Sequence, residues 1–412
     1  MTRRLLTITL LSVLTSLSMS AQGGSYYSAV GIGDIRRSVG ALYEAFAGTS
    51  IAMPTDHGIN TVNPALLGMT PYTRLQAGYR FNQYSITSGD RLTFQNNGEI
   101  DGILALFSVD TAAGFGITLG VLPYSTVNYA SSQTISTQFD GATVTGRSNQ
   151  VGEGGMSRFV LGASVRAWEN LYVGLMVQGF LGTTRYSDQI FIDGGGFNSV
   201  TSASVYDVRG LMGRVGMYWR VTDQFSIGAI VAAGGDASVR QTDRVVGAAP
   251  GRLFVDTSIT TNSTTGLPFT FGGGVSYKTG KFLLGADIEV SDLSSVTVRP
   301  TPNTTLGSAL HISAAVSRPG DPLPSAPYME RWGYHGGIGY DKSYITYAGS
   351  TIADYYASVG VDFPVGGSAI LDAAIQGGRR ARGDGEGLAE WYGRLTVTLS
   401  IGETWFKPFA RD

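Results

Sequence analysis

From Tyr72 onward the chain alternates apolar with polar or very small residues, one segment after another. Around Tyr218, the residues Leu211, Gly213, Val215, Met217 and Trp219 form one set, and Arg214, Gly216, Tyr218 and Arg220 form the other. A period of two puts these sets on opposite faces of a strand. In a soluble sheet the apolar face packs on a second layer, yet the sequence offers neither a helical layer nor a second family of strands. Lipid supplies that layer in a transmembrane β-barrel, whose backbone groups are all paired between strands.

The pattern predicts strands near 73–87, 100–110, 114–131, 156–168, 171–191, 200–221, 225–240, 257–278, 282–298, 329–340, 343–349, 352–363, 368–380 and 388–402. Short turns at 111–113, 169–170, 222–224, 279–281, 341–342 and 364–367 follow the even strands, and longer polar connections follow the odd ones. Outer-membrane barrels show the same asymmetry, with short periplasmic turns and an even strand number. The expectation is an all-β, 14-stranded antiparallel transmembrane β-barrel over 72–412; segment 343–349 is the weakest, which leaves twelve strands open. In the first strand Leu75, Ala77, Tyr79 and Phe81 face lipid and Gln76, Gly78, Arg80 and Asn82 line a lumen; in the last, Leu395, Val397, Leu399 and Ile401 oppose Arg394, Thr396, Thr398 and Ser400. Several strands exceed the roughly 10 residues needed to cross a bilayer, so the barrel should project above it. Trp168, Tyr172, Trp219, Phe225, Trp391 and Trp405 fall near strand ends, where interfacial girdles belong.

The ends and the composition refine this picture. Residues 1–21 read as a signal peptide: Arg3 and Arg4, an apolar stretch from Leu5 to Leu17, then small residues to Ala21. Residues 22–71 do not alternate and are too apolar for a solvated tail; Asn63 is placed to cap a helical turn beginning at Pro64. A barrel of about fourteen strands leaves a lumen that needs filling, so 22–71 is read as an N-terminal hatch inside the barrel, with a periplasmic extension as the alternative. The net charge of -2 and the absence of a basic stripe exclude an electrostatic nucleic-acid binder. Without Cys there is no disulfide framework or thiolate metal site. His57, His311 and His335 have no metal-ligand spacing, and no nucleophile elbow or phosphate loop is present, so no enzyme activity, metal or cofactor is expected.

The run from Ser38 to Met69, with Asn63, Pro64 and Ala65 just before the first strand, resembles the hatch of the FadL family of outer-membrane transporters for long-chain fatty acids and other hydrophobic compounds. The resemblance implies passive transport of a hydrophobic small molecule, with outer-membrane lipid as its destination, and localisation in a Gram-negative outer membrane. It also implies a kink in the third strand that opens sideways to lipid, and Pro123 is similar in position; otherwise the strand ends early there. Proline cannot donate to a ladder, which suits either reading. Arg80, Arg158 and Arg214 face the lumen and suit either a ligand carboxylate or lumen acids such as Asp287, Glu289, Asp354 and Asp362. An apolar stretch from Leu310 to Tyr328 is expected among the extracellular loops as a capture patch. The segment 394–406 resembles the terminal signal read by the barrel assembly machinery during biogenesis. The alternative on the same fold is a PorV-like, protein-binding outer-membrane component of a secretion system.

Overall fold

The computed structural model describes residues 23–37, 39–139, 142–193, 199–249, 252–299, 301, 303–323, 325–385, 387–403 and 405. The expected signal peptide lies outside them. The N-terminal segment carries a 3-10 turn at Tyr26–Ala29, a two-residue strand at Asp34–Ile35, the short helix α1 at Ala41–Ala45 and a second 3-10 turn at Pro64–Met69. Then come β1 (Thr73–Ser88), β2 (Arg91–Asp110), β3 (Phe115–Phe139), β4 (Ala142–Trp168), β5 (Leu171–Ile192) and β6 (Ser199–Arg220). β7 is broken into Phe225–Gly234 and Asp236–Ala249, and β8 into Arg252–Gly266 and Phe269–Thr279. β9 (Phe282–Asp292), β10 (Thr304–Leu306 with Ser308–Arg318), β11 (Gly333–Tyr347), β12 (Ser350–Gly366), β13 (Ala369–Arg382) and β14 (Leu388–Glu403) complete a closed 14-stranded antiparallel barrel. Closure is a full ladder from Leu388↔Ser88 to Glu403↔Thr73 between β14 and β1.

The facing pattern follows the sequence. On β6, Leu211 is 67% and Val215 55% exposed, while Arg214 is 8% and Tyr218 2% exposed. The same alternation puts Leu75, Tyr79, Leu395 and Ile401 outside and Gln76, Arg80, Thr396 and Ser400 inside. Lipid therefore covers a continuous apolar band, and above it on β4, β5 and β6 the outward positions turn polar, with Glu153, Arg185 and Arg209 exposed. Outward-facing Trp168, Trp219 and Trp405 mark the inner end of the barrel, where β1 begins and β14 finishes.

The strand number is the expected one, reached by a different partition. The stretch 304–318, read as loop, is β10; its run of Ser and Ala is flanked by prolines that suggested turns. Conversely 333–347 is a single strand, and Asp341-Lys342 is no turn, because Asp341 points into the lumen and accepts a hydrogen bond from His311. Twelve strands are excluded by the same closed ladder order. The expected ninth strand stops at Asp292. The expected long loops after odd strands are mostly outer halves of strands, and 89–90 and 348–349 are tight tips. Above the bilayer both faces of a strand are wet, so alternation fades although pairing continues.

The apolar capture patch also moves. Leu310 lies in the β10 wall and Tyr328 in a 3-10 turn (Tyr328–Arg331) on the inner-end connection 319–332. On the outer side, the described residues 293–299 fold inward, burying Leu293, Val296 and Val298.

A charge on the lipid face should expose this geometry energetically. Val215→Lys is expected to destabilise the barrel by about 2–4 kcal/mol in denaturant unfolding from vesicles, against no measurable cost for Arg209→Lys above the band.

Candidate functional site

The residues from Gly23 to Met69 run through the lumen, and most are buried. Among them α1 contributes Ala41 and Ala45 against Ala374 of β13, while Leu42, Tyr43, Phe46 and Met53 pack on Ala315 of β10. Gly40, with φ 96°, admits the turn into α1, and its N–H donates to Asp101 at 2.7 Å. Further along, Asn63 caps the Pro64–Met69 turn: its Oδ1 accepts from Ala65 N at 3.0 Å and its Nδ2 donates to Ile51 O at 2.6 Å and to Met217 O of β6 at 2.9 Å. The wall makes room with glycine; a Cβ on Gly216 would stand 2.1 Å from Asn63 Oδ1, and one on Gly174 2.3 Å from the Pro64 carbonyl carbon.

Electrostatics fastens the rest. Glu44 is bracketed by Arg80 of β1 at 2.6 Å and Arg394 of β14 at 2.7 Å. Arg36 pairs with Asp101 of β2 at 3.1 Å and with Glu99. Arg37 reaches Glu289 of β9 at 3.2 Å and Asp341 of β11 at 3.3 Å, and Asp34 meets Arg380 of β13 at 3.1 Å. Asp287 accepts from the backbone N–H groups of Ser50 and Ile51 at 2.6 and 2.8 Å. Burial by itself would push the Glu44 carboxyl up, but Arg80 and Arg394 outweigh it and hold the group at about 2.

The three arginines singled out in sequence do not behave alike. Arg80 is ion-paired to Glu44 and Asp101. Arg158 and Arg214 have no carboxylate within ion-pair distance among the described residues. Arg158 donates to Gln178 Oε1 and to the Arg37 carbonyl, both at 3.3 Å, and Arg214 to the Val62 carbonyl at 2.9 Å. Their Nε atoms, and Gln178 Nε2, are buried without a partner. They border a cavity of about 210 Å³, together with Tyr124 and Met212. Toward the outer end this cavity meets an apolar belt that includes Tyr124, Tyr129, Phe180, Tyr206, Met212 and Leu293. No alternation signal distinguishes an arginine whose acid lies across the lumen from one that has none.

Pro123 lies within β3, which continues to Phe139. The β2–β3 ladder runs only from Asp110↔Phe115 to Ile103↔Val121. Beyond it β2 stays paired with β1, and β3 stays paired with β4 through a register shift between Pro123 and Ser125. The edge of β3 so released takes the N-terminal segment instead: Asp34↔Thr126 and Ile35↔Ser125 form a short antiparallel ladder, Arg36 N donates to Tyr124 O and Gly24 N to Asn128 O, both at 2.8 Å. Side chains bridge the remaining seam, with Gln95 Nε2 donating to Ala130 O at 2.8 Å.

A closed, lipid-faced barrel with a filled lumen and a partly unzipped third strand defines an outer-membrane barrel of FadL-type fold. Solved structures similar to the chain include a Pseudomonas aeruginosa FadL homologue (TM-score 0.62, 11% identity, 92% of this chain and 100% of that one), the Ralstonia pickettii toluene transporter TbuX (0.59, 16%, 89% and 98%) and the Pseudomonas putida toluene transporter TodX (0.54, 13%, 91% and 100%). At such identities it is the fold that is shared. The family model described as BamG matches residues 1–409, and the chain belongs to the BamG family. No curated protein matches the sequence.

The Glu44 pairs set a pH window. A carboxyl held below its ordinary value stabilises the fold above that value and loses the contribution as pH falls through about 2. Protease cleavage within 41–49, resisted by the wild type at neutral pH, is expected to begin only as the medium is acidified toward that value, whereas Glu44→Gln, which takes the carboxylate from Arg394 and leaves Arg80 with Asp101 alone, should loosen the segment by about 3–5 kcal/mol at neutral pH.

Proposed function

We propose that the chain is a passive, non-enzymatic outer-membrane conduit for hydrophobic small molecules, with residues 22–71 as its hatch and the β2–β3 seam beside Pro123 as a lateral exit into lipid. The observation that carries this reading is the adjacency of three features. The apolar belt touches the unpaired edge of β3 through Tyr124 and Tyr129, and the Arg158–Arg214 pair lies beside it. An apolar ligand entering from the outer mouth would reach the seam along the apolar belt, with the ion pairs of Arg36, Glu44 and Arg80 lining the inner side of the same cavity. The similar fold of the toluene transporters TbuX and TodX supports the same class of cargo. A long-chain acid would set its carboxylate on Arg158 and Arg214, whose planar guanidiniums match a carboxylate fork.

Size decides what must move. A cavity of about 210 Å³ is smaller than the roughly 300–1,000 Å³ of sites that hold drug-sized ligands. Passage thus requires the N-terminal segment to yield, beginning with the two-residue ladder at Asp34–Ile35, which is the shortest pairing in the seam. The Asn63-Pro64-Ala65 turn, tied to β6, would act as the fixed end about which the hatch rearranges.

One observation favours a second reading, a PorV-like protein-binding role. The outer halves of β3 to β8 stand above the apolar band as paired strands, a wall suited to holding a partner, over a lumen that is largely filled. The barrel assembly machinery remains the expected partner during biogenesis.

Two measurements separate these readings. In vesicles carrying the purified barrel, uptake of a labelled long-chain fatty acid is expected to exceed that of protein-free vesicles, and Arg158→Leu with Arg214→Leu should lower it about tenfold or more, each charged hydrogen bond being worth roughly 1.5–3 kcal/mol. Uptake equal to the protein-free control, together with a specific secreted or membrane protein retained on the barrel, would replace transport by partner binding. The seam has its own test: the chain lacks cysteine, so a cleavable thiol cross-link between Glu99→Cys and Thr126→Cys bridges only β2 and β3. Uptake should stop when the link is formed and return when it is cut; unchanged uptake places the exit elsewhere.

A further inference from the structure

At the inner end of the lumen, away from the apolar belt, four buried side chains from four separate elements converge. They are His57 of the N-terminal segment, His335 on β11, Asp362 on β12 and Asp372 on β13. Asp362 and Asp372 are direct neighbours across the β12–β13 ladder. His57 Nε2 lies 2.9 Å from Asp372 Oδ1, and His335 Nε2 contacts Asp362 Oδ2. One ligating atom from each of His57, Asp362 and Asp372 falls within 4.8 Å of the others.

Each imidazole is also gripped from behind. His57 Nδ1 meets Asp56 Oδ1 at 2.6 Å, and His335 Nδ1 meets Ser317 Oγ at 3.0 Å. That is how metal-ligating histidines are oriented: a partner on the far nitrogen fixes the tautomer and aims the near one. Here both Nε2 atoms are aimed at the two carboxylates. Charge points the same way. Asp362 and Asp372 are two buried carboxylates side by side, with the more exposed Asp56 on the far side of His57 and the guanidinium of Arg74 nearby. Carboxylates buried in excess of their counter-charges are costly. A divalent cation between Asp362 and Asp372 balances both charges without calling on a protonated ring.

We propose that His57, Asp362 and Asp372, with His335 as neighbour or fourth ligand, bind a zinc-like divalent cation that pins the N-terminal segment to the β11–β13 wall. A mixed imidazole and carboxylate set suits zinc and the later first-row metals, whereas magnesium and calcium take oxygen ligands. The entry path is at Asp56, whose side chain is 67% exposed. The cation would hold the inner end of the segment, while the Asp34–Ile35 ladder holds the end at the seam. This assignment stands whether the barrel transports small molecules or binds a protein.

The test uses the full-length folded barrel, stripped with chelator and titrated with Zn²⁺ by calorimetry and with Co²⁺ by visible absorption. One Zn²⁺ per barrel at sub-micromolar affinity is expected, with the intense ligand-field bands of low-coordinate Co²⁺. Asp372→Asn should weaken binding about 100-fold. Because Asp372 is buried and its variant can misfold, Asp56→Asn at the exposed position is the second arm, with a loss of about 10–100-fold, the heat-dependent gel mobility of the barrel serving as fold control. Absence of saturable one-to-one binding, or equal affinity in wild type and both folded variants, overturns the assignment.

Discussion

The structure rests on one constraint: a fourteen-stranded cylinder in lipid encloses more space than its own inward side chains fill. Lipid lets the outer face be apolar at no packing cost, but the inner face inherits every polar residue of the alternation. Those residues need partners, and the N-terminal segment brings them. Arg37 and Glu44 each meet opposite charges from two different strands, and Arg36 meets two carboxylates of β2, so the segment is fastened to the wall at many points around its circumference. Any one pair, balanced against desolvation, adds little. Removing one partner leaves a charge stranded in a dry lumen, which is why the network acts as a specific lock more than as a source of net stability.

Alternation made the barrel legible because lipid imposes it without exception. Leu211, Val215 and Trp219 had to lie outside once the strand was recognised, and Arg214 and Tyr218 inside. Where lipid stops, legibility stops with it. The outer halves of β3 to β8 are strands held by pairing between wet faces, and Thr- and Ser-rich sequence gives the same local signal for such a strand as for a loop. The partition error around β10 and β11 has a related cause. Asp341-Lys342 has turn composition, and only the position of His311 on the neighbouring strand and of Arg37 in the lumen explains why an acid sits in mid-strand.

The site was legible in part. Asn63 as a cap and Pro64 as the first residue of a turn follow from local chemistry, and the structure has both. Pro123 was visible as a break in donation, yet its consequence depends on which neighbour leaves: β3 keeps β4 and loses β2. The contrast between Arg80, which has acids, and Arg158 and Arg214, which have none at ion-pair distance among the described residues, is a property of the assembled lumen. The same holds for His57. Its neighbours Asp362 and Asp372 lie more than three hundred residues away in the chain, so no spacing rule could gather them.

Height along the barrel axis then connects these features. The ion pairs that fasten Arg36 and Glu44 sit where the β2–β3 ladder ends, because Asp101 and Glu99 are the β2 residues next to the last paired position, Ile103. The strand edge that would otherwise bond β2 is given to Asp34–Ile35, immediately before Arg36. Seam and lock are thus one piece of chain. A displacement that frees the β3 edge must pull Arg36 from Glu99 and Asp101, and a displacement that breaks those pairs must withdraw the two-residue ladder. In the function proposed above, opening would therefore be all-or-none at this end of the segment, and the β3 edge it exposes to lipid would need new hydrogen-bond partners, such as a partner's strand, in the place that Asp34–Ile35 vacates.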